Sequence, residues 1–201
     1  MTSGEHYFSA DPSVPFVREP VRVRVWGHDL ELVSGSGVFS QGRLDAGTAV
    51  LFRQTAPPTG GRLLDLGCGY GVIGCALAVA APEARVYGVD VNARAVLLAN
   101  ENAASLGVEG RFVAGQPGEV AAEVSFDEIW SNPPIRIGKQ ELHDLLLTWL
   151  PRLRPGGRAF LVVGRNLGAD SLQRWLEEQG YPTMRVGSAK GFRVLEAHRP
   201  D

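Results

Sequence analysis

The chain has 201 residues, 44% hydrophobic and 21% charged, which suits one buried core and excludes a fibrous or wholly disordered chain. The formal net charge of −2 is unevenly spread: residues 130–201 carry eleven Lys and Arg against seven Asp and Glu, and residues 1–129 carry nine against fifteen. A basic carboxy-terminal third can face an acidic partner or be an ordinary solvated surface. Two cysteines, Cys68 and Cys75, cannot build a disulfide framework, the opening residues lack a secretory pattern, and the longest uncharged run (66–82) is short for a membrane span. The expectation is a reducing, cytoplasmic setting without a membrane.

Residues 1–20 show little periodicity and read as an irregular lead-in. Val21 to Val25 alternates valine with arginine, Gly27-His28-Asp29 reads as a turn, and Leu30-Glu31-Leu32 alternates again, predicting a small β-hairpin with one wet face. A loop at 34–37 precedes a short helix over about 47–55. From Arg62 the pattern changes to alternating strands and helices. Strand 62–66, glycine loop 67–71, helix 72–81 and strand 85–89 come first. A helix then runs from the cap Asn92 to Leu106, with Gly107 placed to end it, and strands follow at 111–114 and 126–130.

Leu142, Leu145, Leu146, Trp149, Leu150 and Leu153 recur at helical spacing over 140–153. The Arg154-Pro155-Gly156-Gly157 turn leads into strand 159–163, a helix over 170–179 ends at Gly180, and strands at 183–186 and 192–197 close the chain. This order predicts an α/β fold: a doubly wound, seven-stranded, mostly parallel sheet with an antiparallel C-terminal hairpin, preceded by the N-terminal hairpin. Residues 1–61 read as lead-in, hairpin and helix packed on a core of residues 62–201, one domain overall.

Ligands of such a sheet bind beyond the carboxyl ends of its strands. Leu64-Asp65-Leu66-Gly67-Cys68-Gly69-Tyr70-Gly71 ends the first core strand, and its glycines allow a sharp turn and a close ligand approach. Asp65 can accept hydrogen bonds from a ligand ammonium or from loop amides. Asp90 ends the next strand, where a carboxylate can take both hydroxyls of a ribose. Gly69-Tyr70-Gly71-Val72-Ile73-Gly74 also fits the dinucleotide pattern G-x-G-x-x-G. Asp65 argues against that use, because a carboxylate before the first glycine repels a pyrophosphate and attracts a cationic sulfonium amino acid.

Trp130-Ser131-Asn132-Pro133-Pro134-Ile135 follows the fourth core strand. The prolines stiffen the chain and bias Asn132 towards an extended backbone, so that its amide and the Pro133 carbonyl converge at a strand end. Such acceptors can hold an amino group in line with a methyl–sulfur bond, which matters more than a strong base for a nitrogen whose lone pair is delocalised. Asn-Pro-Pro alone is more often a strand terminator; its place after the glycine loop favours the functional reading. His6, His28, His143 and His198 share no metal-ligand spacing and the cysteines read as packing residues, so no metal is expected.

The D-L-G-C-G-Y-G loop with Asp90 resembles the donor-binding motifs of class I S-adenosylmethionine-dependent methyltransferases, which have a Rossmann-like fold. The resemblance implies that Asp65, Gly67 and Gly69 border the methionine end of S-adenosylmethionine, that Asp90 holds its ribose and that Val91 packs on its adenine. Gln116 stands where such families place an Asp or Asn near the adenine amino group. Asn-Pro-Pro is similar to the fourth motif of amino-methyltransferases, which implies catalytic positions at Asn132, Pro133 and Ile135. Ile135 replaces a common aromatic residue, leaving apolar contact there and Phe39 as a candidate stacking ring.

Over about 21–198 the chain resembles the small-domain methyltransferase family that includes ribosomal RNA guanine amino-methyltransferases. The match includes Gly37-Val38-Phe39-Ser40, Leu44-Asp45-Ala46-Gly47-Thr48 and Ser188-Ala189-Lys190-Gly191-Phe192-Arg193-Val194-Leu195. It implies an RNA partner, most directly ribosomal, with guanine as the target. Arg136, Lys139, Arg165, Lys190 and Arg193 are then candidate phosphate contacts. A protein glutamine or a small metabolite is the alternative acceptor, and a non-catalytic donor- or RNA-binding module is the third reading.

Overall fold

The computed structural model describes residues 15–133 and 138–201. The chain opens with an antiparallel hairpin of β1 (Arg18–Val25) and β2 (His28–Gly35). Val21, Val23 and Val25 with Leu30 and Leu32 are buried, and the arginines between the valines point outward. The turn is Trp26-Gly27, both left-handed with φ of 47° and 86°. It therefore comes earlier than the predicted Gly27–Asp29, because His28 and Asp29 already pair with Val25 and Arg24. Two left-handed residues give a turn whose twist matches the strands it joins.

Helix α1 (Ala46–Gln54) starts at the cap Asp45, and the Trp26 indole N–H donates to the Phe52 and Thr55 carbonyls near its other end. Those are the carbonyls that a helix terminus leaves without backbone partners. There follow β3 (Gly61–Leu66), α2 (Val72–Ala80), β4 (Ala84–Val89), α3 (Ala93–Ser105) and β5 (Phe112–Gly115). Then come β6 (Phe126–Ser131), α4 (Lys139–Trp149), β7 (Leu153–Gly164), α5 (Ala169–Glu178), β8 (Thr183–Ala189) and β9 (Phe192–His198).

The main sheet has the order β5-β4-β3-β6-β7-β9-β8, parallel except for β9, which runs antiparallel to both β7 and β8. The winding reverses between β3 and β6, so the crevice for a ligand lies at their carboxyl ends. Leu63 and Trp130 face one core with α1, α2, α3 and the N-terminal hairpin; Leu64 and Ile129 face the other, with α4 and α5. Helix α2 is built of small residues because it lies close to β5: a Cβ on Gly74 would come within 2.4 Å of the Phe112 ring.

The Asn102 amide fixes the hairpin to this layer, accepting from the Val33 amide at 2.8 Å and donating to the carbonyls of Val33 and Tyr70, each at 2.8 Å. One predicted turn became strand. Arg154-Pro155-Gly156-Gly157 lies inside β7, where the pairing with β6 slips register between Phe126 and Glu128. The strand continues because the Gly156 amide donates to the Arg199 carbonyl at 3.0 Å and the Arg199 amide to the Gly157 carbonyl at 2.8 Å. No helix among the described residues is long and apolar enough to cross a membrane.

Candidate active site

The glycine loop between β3 and α2 is fastened before any ligand is considered. The Gly67 and Cys68 amides donate to the Val89 carbonyl at 2.8 and 3.0 Å, and the Gly69 amide donates to Asp90 Oδ2 at 2.9 Å. Asp90 Oδ1 accepts from the Asn92 amide at 2.9 Å. Each carboxylate oxygen has a second acceptor direction, so Asp90 keeps capacity for ligand hydroxyls. Burial pushes its pKa up, opposed by hydrogen bonds from the Asn92, Gly69 and Val91 amides.

Asp65 sits differently. Its side chain is fully buried beneath the loop and does not line the cavity. Oδ2 accepts from the Gly74 amide at 2.8 Å, while Oδ1 has no partner. Burial raises its pKa to about 7, opposed by the Gly74 hydrogen bond and reinforced by Asp90. A buried carboxylate with a bare oxygen favours positive charge nearby.

A cavity of about 460 Å³ runs along the carboxyl ends of β3, β4 and β6. Gly67, Gly69, Asp90 and Val91 form one side, and Val91 is 45% exposed there. Asn132 and Pro133 form another, and Phe39 and Asp45 belong to the segment before α1. Gln116 is exposed and absent from the cavity wall; its backbone amide donates to Glu119 Oε2 at 2.6 Å and its Nε2 to the Val91 carbonyl at 3.4 Å. Pro117 lines the cavity instead. Ile135 and Arg136 lie outside the described residues.

S-adenosylmethionine fits this site on three counts. The volume lies in the range of small-molecule sites of roughly 300–1,000 Å³. A Cβ built on Gly69 would meet nothing within 4 Å, so the loop presents open backbone. The acids beside it, Asp90 on the cavity wall and Asp65 buried beneath the loop, suit a ligand with ribose hydroxyls and positive charge.

The acceptor end is organised by a hydrogen-bond chain that the sequence reading missed. Ser131 Oγ donates to the Leu66 carbonyl at 2.6 Å, tying the end of β6 to that of β3. Asn132 Nδ2 donates to Asp45 Oδ1 at 2.6 Å and to Thr48 Oγ1 at 3.0 Å. A carboxylate only accepts, so the amide NH₂ faces Asp45 and its oxygen is turned away from that contact. Asp45 followed by Gly47 and Thr48 has the form of a helix start, which was the available signal; what the cap would touch was not legible.

Phe192, on β9, lines the main cavity and also a second one of about 480 Å³ at the β8–β9 end. Arg165, Arg185, Lys190 and Arg193 line that second cavity, and no acidic residue does. Arg193 pairs with Asp170. Lys139 is exposed at the start of α4, away from this group in sequence. Cys68 and Cys75 are buried free thiols whose pKa values burial pushes up. No group of three or more His, Cys, Asp or Glu able to hold a metal occurs among the described residues.

The methyltransferase small-domain family model matches residues 29–196. The Bacillus subtilis protein YbxB is 34% identical over 97% of this chain and 98% of its own length. Ribosomal RNA small subunit methyltransferase C of Pseudomonas putida is 39% identical over 85% of this chain and 51% of its own. The chain thus spans about half the length of the curated methyltransferase C relatives it matches. A solved T. thermophilus 16S rRNA N2 guanine methyltransferase, in complex with AdoMet and guanosine, superposes with a TM-score of 0.79 at 26% identity, over 94% of this chain and 52% of that one. The chain belongs to the methyltransferase small-domain family, enzymes whose methyl donor is S-adenosylmethionine.

Proposed function

We propose that the chain methylates the exocyclic 2-amino nitrogen of a guanine in RNA, ribosomal RNA being the acceptor that its relatives favour. The observation that carries this reading is the fixed Asn132 amide, whose NH₂ is committed to Asp45 and Thr48 on the wall of the cavity that also holds the glycine loop. Its oxygen is thereby available to an amino hydrogen.

Bound S-adenosylmethionine supplies a methyl group on a positively charged sulfur. Asp90 accepts from its ribose hydroxyls, Gly67 and Gly69 border the methionine end, and Val91 covers the adenine. Asp65 acts from beneath the loop through its charge. Gln116 donates its backbone amide to the turn after β5, while its side-chain amide contacts the carbonyl of Val91 beside the adenine end. Asn132 Oδ1 and the Pro133 carbonyl accept from the two amino hydrogens, which turns the nitrogen lone pair towards the methyl group. Orientation is the principal contribution, because a delocalised lone pair gains most from alignment.

The basic second cavity supports an RNA acceptor. Arg165, Arg185 and Lys190 have no carboxylate partner among the described residues, and Phe192 joins their cleft to the main cavity. Phosphates flanking an extruded guanine suit such a cleft. The test is radiolabelled methyl transfer to ribosomal subunits, naked ribosomal RNA, transfer RNA and a protein extract in parallel. Label confined to protein or to small molecules removes the RNA acceptor and leaves the family assignment standing.

A further inference from the structure

Asp45 is the carboxylate on the acceptor side, and the chemistry above gives only one of its oxygens a role. Oδ1 accepts three hydrogen bonds: from the Gly47 amide at 2.7 Å, the Thr48 amide at 3.1 Å and Asn132 Nδ2 at 2.6 Å. Oδ2 has no hydrogen-bond partner among the described residues, and it is not among the buried unpaired atoms. Since Asp45 lines the cavity, that oxygen is open to it. Asn132 Oδ1 is in the same position: unpartnered, not buried, on a cavity-lining residue. Two hydrogen-bond acceptors therefore stand on side chains that are joined by a single 2.6 Å contact.

Helix capping alone needs one oxygen. Among the four RNA bases, only guanine carries a ring N–H next to an exocyclic amino group, so only guanine offers two adjacent donors to a pair of acceptors. Adenine and cytosine present a ring acceptor beside their amino groups, and its lone pair would face a carboxylate. Uracil has a ring N–H and no amino group.

We propose that Asp45 is the specificity-determining residue of the acceptor site: Oδ2 accepts from the guanine N1–H while Asn132 Oδ1 accepts from the 2-amino group. This rests on the guanine reading above and deepens it. One side chain then couples recognition to alignment, since the same carboxylate orients the Asn132 amide.

The substitution Asp45→Asn separates this role from capping. The new amide oxygen must still face the three donors that Oδ1 now serves, so the NH₂ faces the cavity. Asparagine is as good a helix cap as aspartate, which preserves α1. The variant therefore presents a donor where the native protein presents an acceptor. It should disfavour guanosine and favour 2-aminopurine riboside, which keeps the 2-amino group and has a bare N1.

The experiment titrates both nucleosides into the full chain loaded with S-adenosylhomocysteine, by NMR chemical-shift changes, for wild type and Asp45→Asn. The preference for guanosine over 2-aminopurine riboside should change by about tenfold or more between the two proteins, as expected for replacing a charge-assisted hydrogen bond by a mismatch. Loss of the guanine O6 contact affects both proteins alike and cancels in that comparison. An unchanged preference overturns the Asp45 assignment and leaves the guanine acceptor standing. Wild type binding both nucleosides equally also overturns it, whether or not the variant folds. Binding of neither nucleoside to the loaded wild type overturns both readings together.

Discussion

The Asp90 carboxylate accepts from the Gly69 amide at 2.9 Å, so the tip of β4 and the glycine loop form one unit without a ligand. Asp90→Ala removes the ribose acceptor and this tie together. Affinity for S-adenosylmethionine should fall by about 10²-fold, from about 1.5–3 kcal/mol per hydrogen bond to a charged group. Calorimetry with the purified chain measures it, and unchanged affinity removes Asp90 from the ribose site.

Asn132→Ala should divide chemistry from donor binding. Methyl transfer drops by about 10²-fold because the amine loses its alignment. Donor affinity stays within about twofold, as Asn132 stands on the acceptor side. Equal losses in single-turnover rate and donor affinity would make Asn132 a wall of the donor site instead.

Asp65 gives the stability an unusual pH dependence. Its pKa is about 7 in the fold against 3.8 as its ordinary value, so between these limits the folded chain holds the proton more tightly. That contribution is complete below the lower limit and is lost as pH rises through the upper one. Asp65→Asn lacks this loss. The variant should gain on wild type by about 2–4 kcal/mol between about pH 4 and pH 8 in urea denaturation. Parallel curves for the two proteins would show that Asp65 titrates normally.

Neutralising Arg165, Arg185 and Lys190 together should weaken RNA binding and flatten its salt dependence, the log–log slope changing by about two. Donor affinity should stay as it was. Filter binding at several salt concentrations reads both, and an unaltered slope places the RNA elsewhere, with Arg136 and Lys139 as the next pair to change.

Much of the architecture was legible because periodicity reports burial: Leu63 and Leu64 face opposite cores, and a continuous apolar strand is what a sheet covered on both faces needs. Turns were less legible. Trp26 adopts a left-handed backbone that its type disfavours, held there by an indole bonded to α1 some thirty residues on. Gly156 and Gly157 look like a break and stay in β7 because Arg199 pairs with them. The site divides similarly. Gly67, Gly69, Asp90 and Asn132 announce themselves by local motif, whereas Asp45 meets Asn132 across 87 positions, a distance no local pattern encodes. Gln116 occupies the expected position, and its side chain reaches the Val91 carbonyl across 25 positions, a contact no local pattern encodes.

The Trp26 indole steadies the far end of the helix that begins at Asp45. The small hairpin, remote from the chemistry in sequence, thus anchors a strut whose other end aims the acceptor amide. Residues 62–115 supply the donor loop and its two acids, whereas the Asn132 orientation depends on the segment before them. Damage at the hairpin turn would then leave a protein that still takes up its donor and has lost its aim: a methyltransferase blunted from its least conspicuous end.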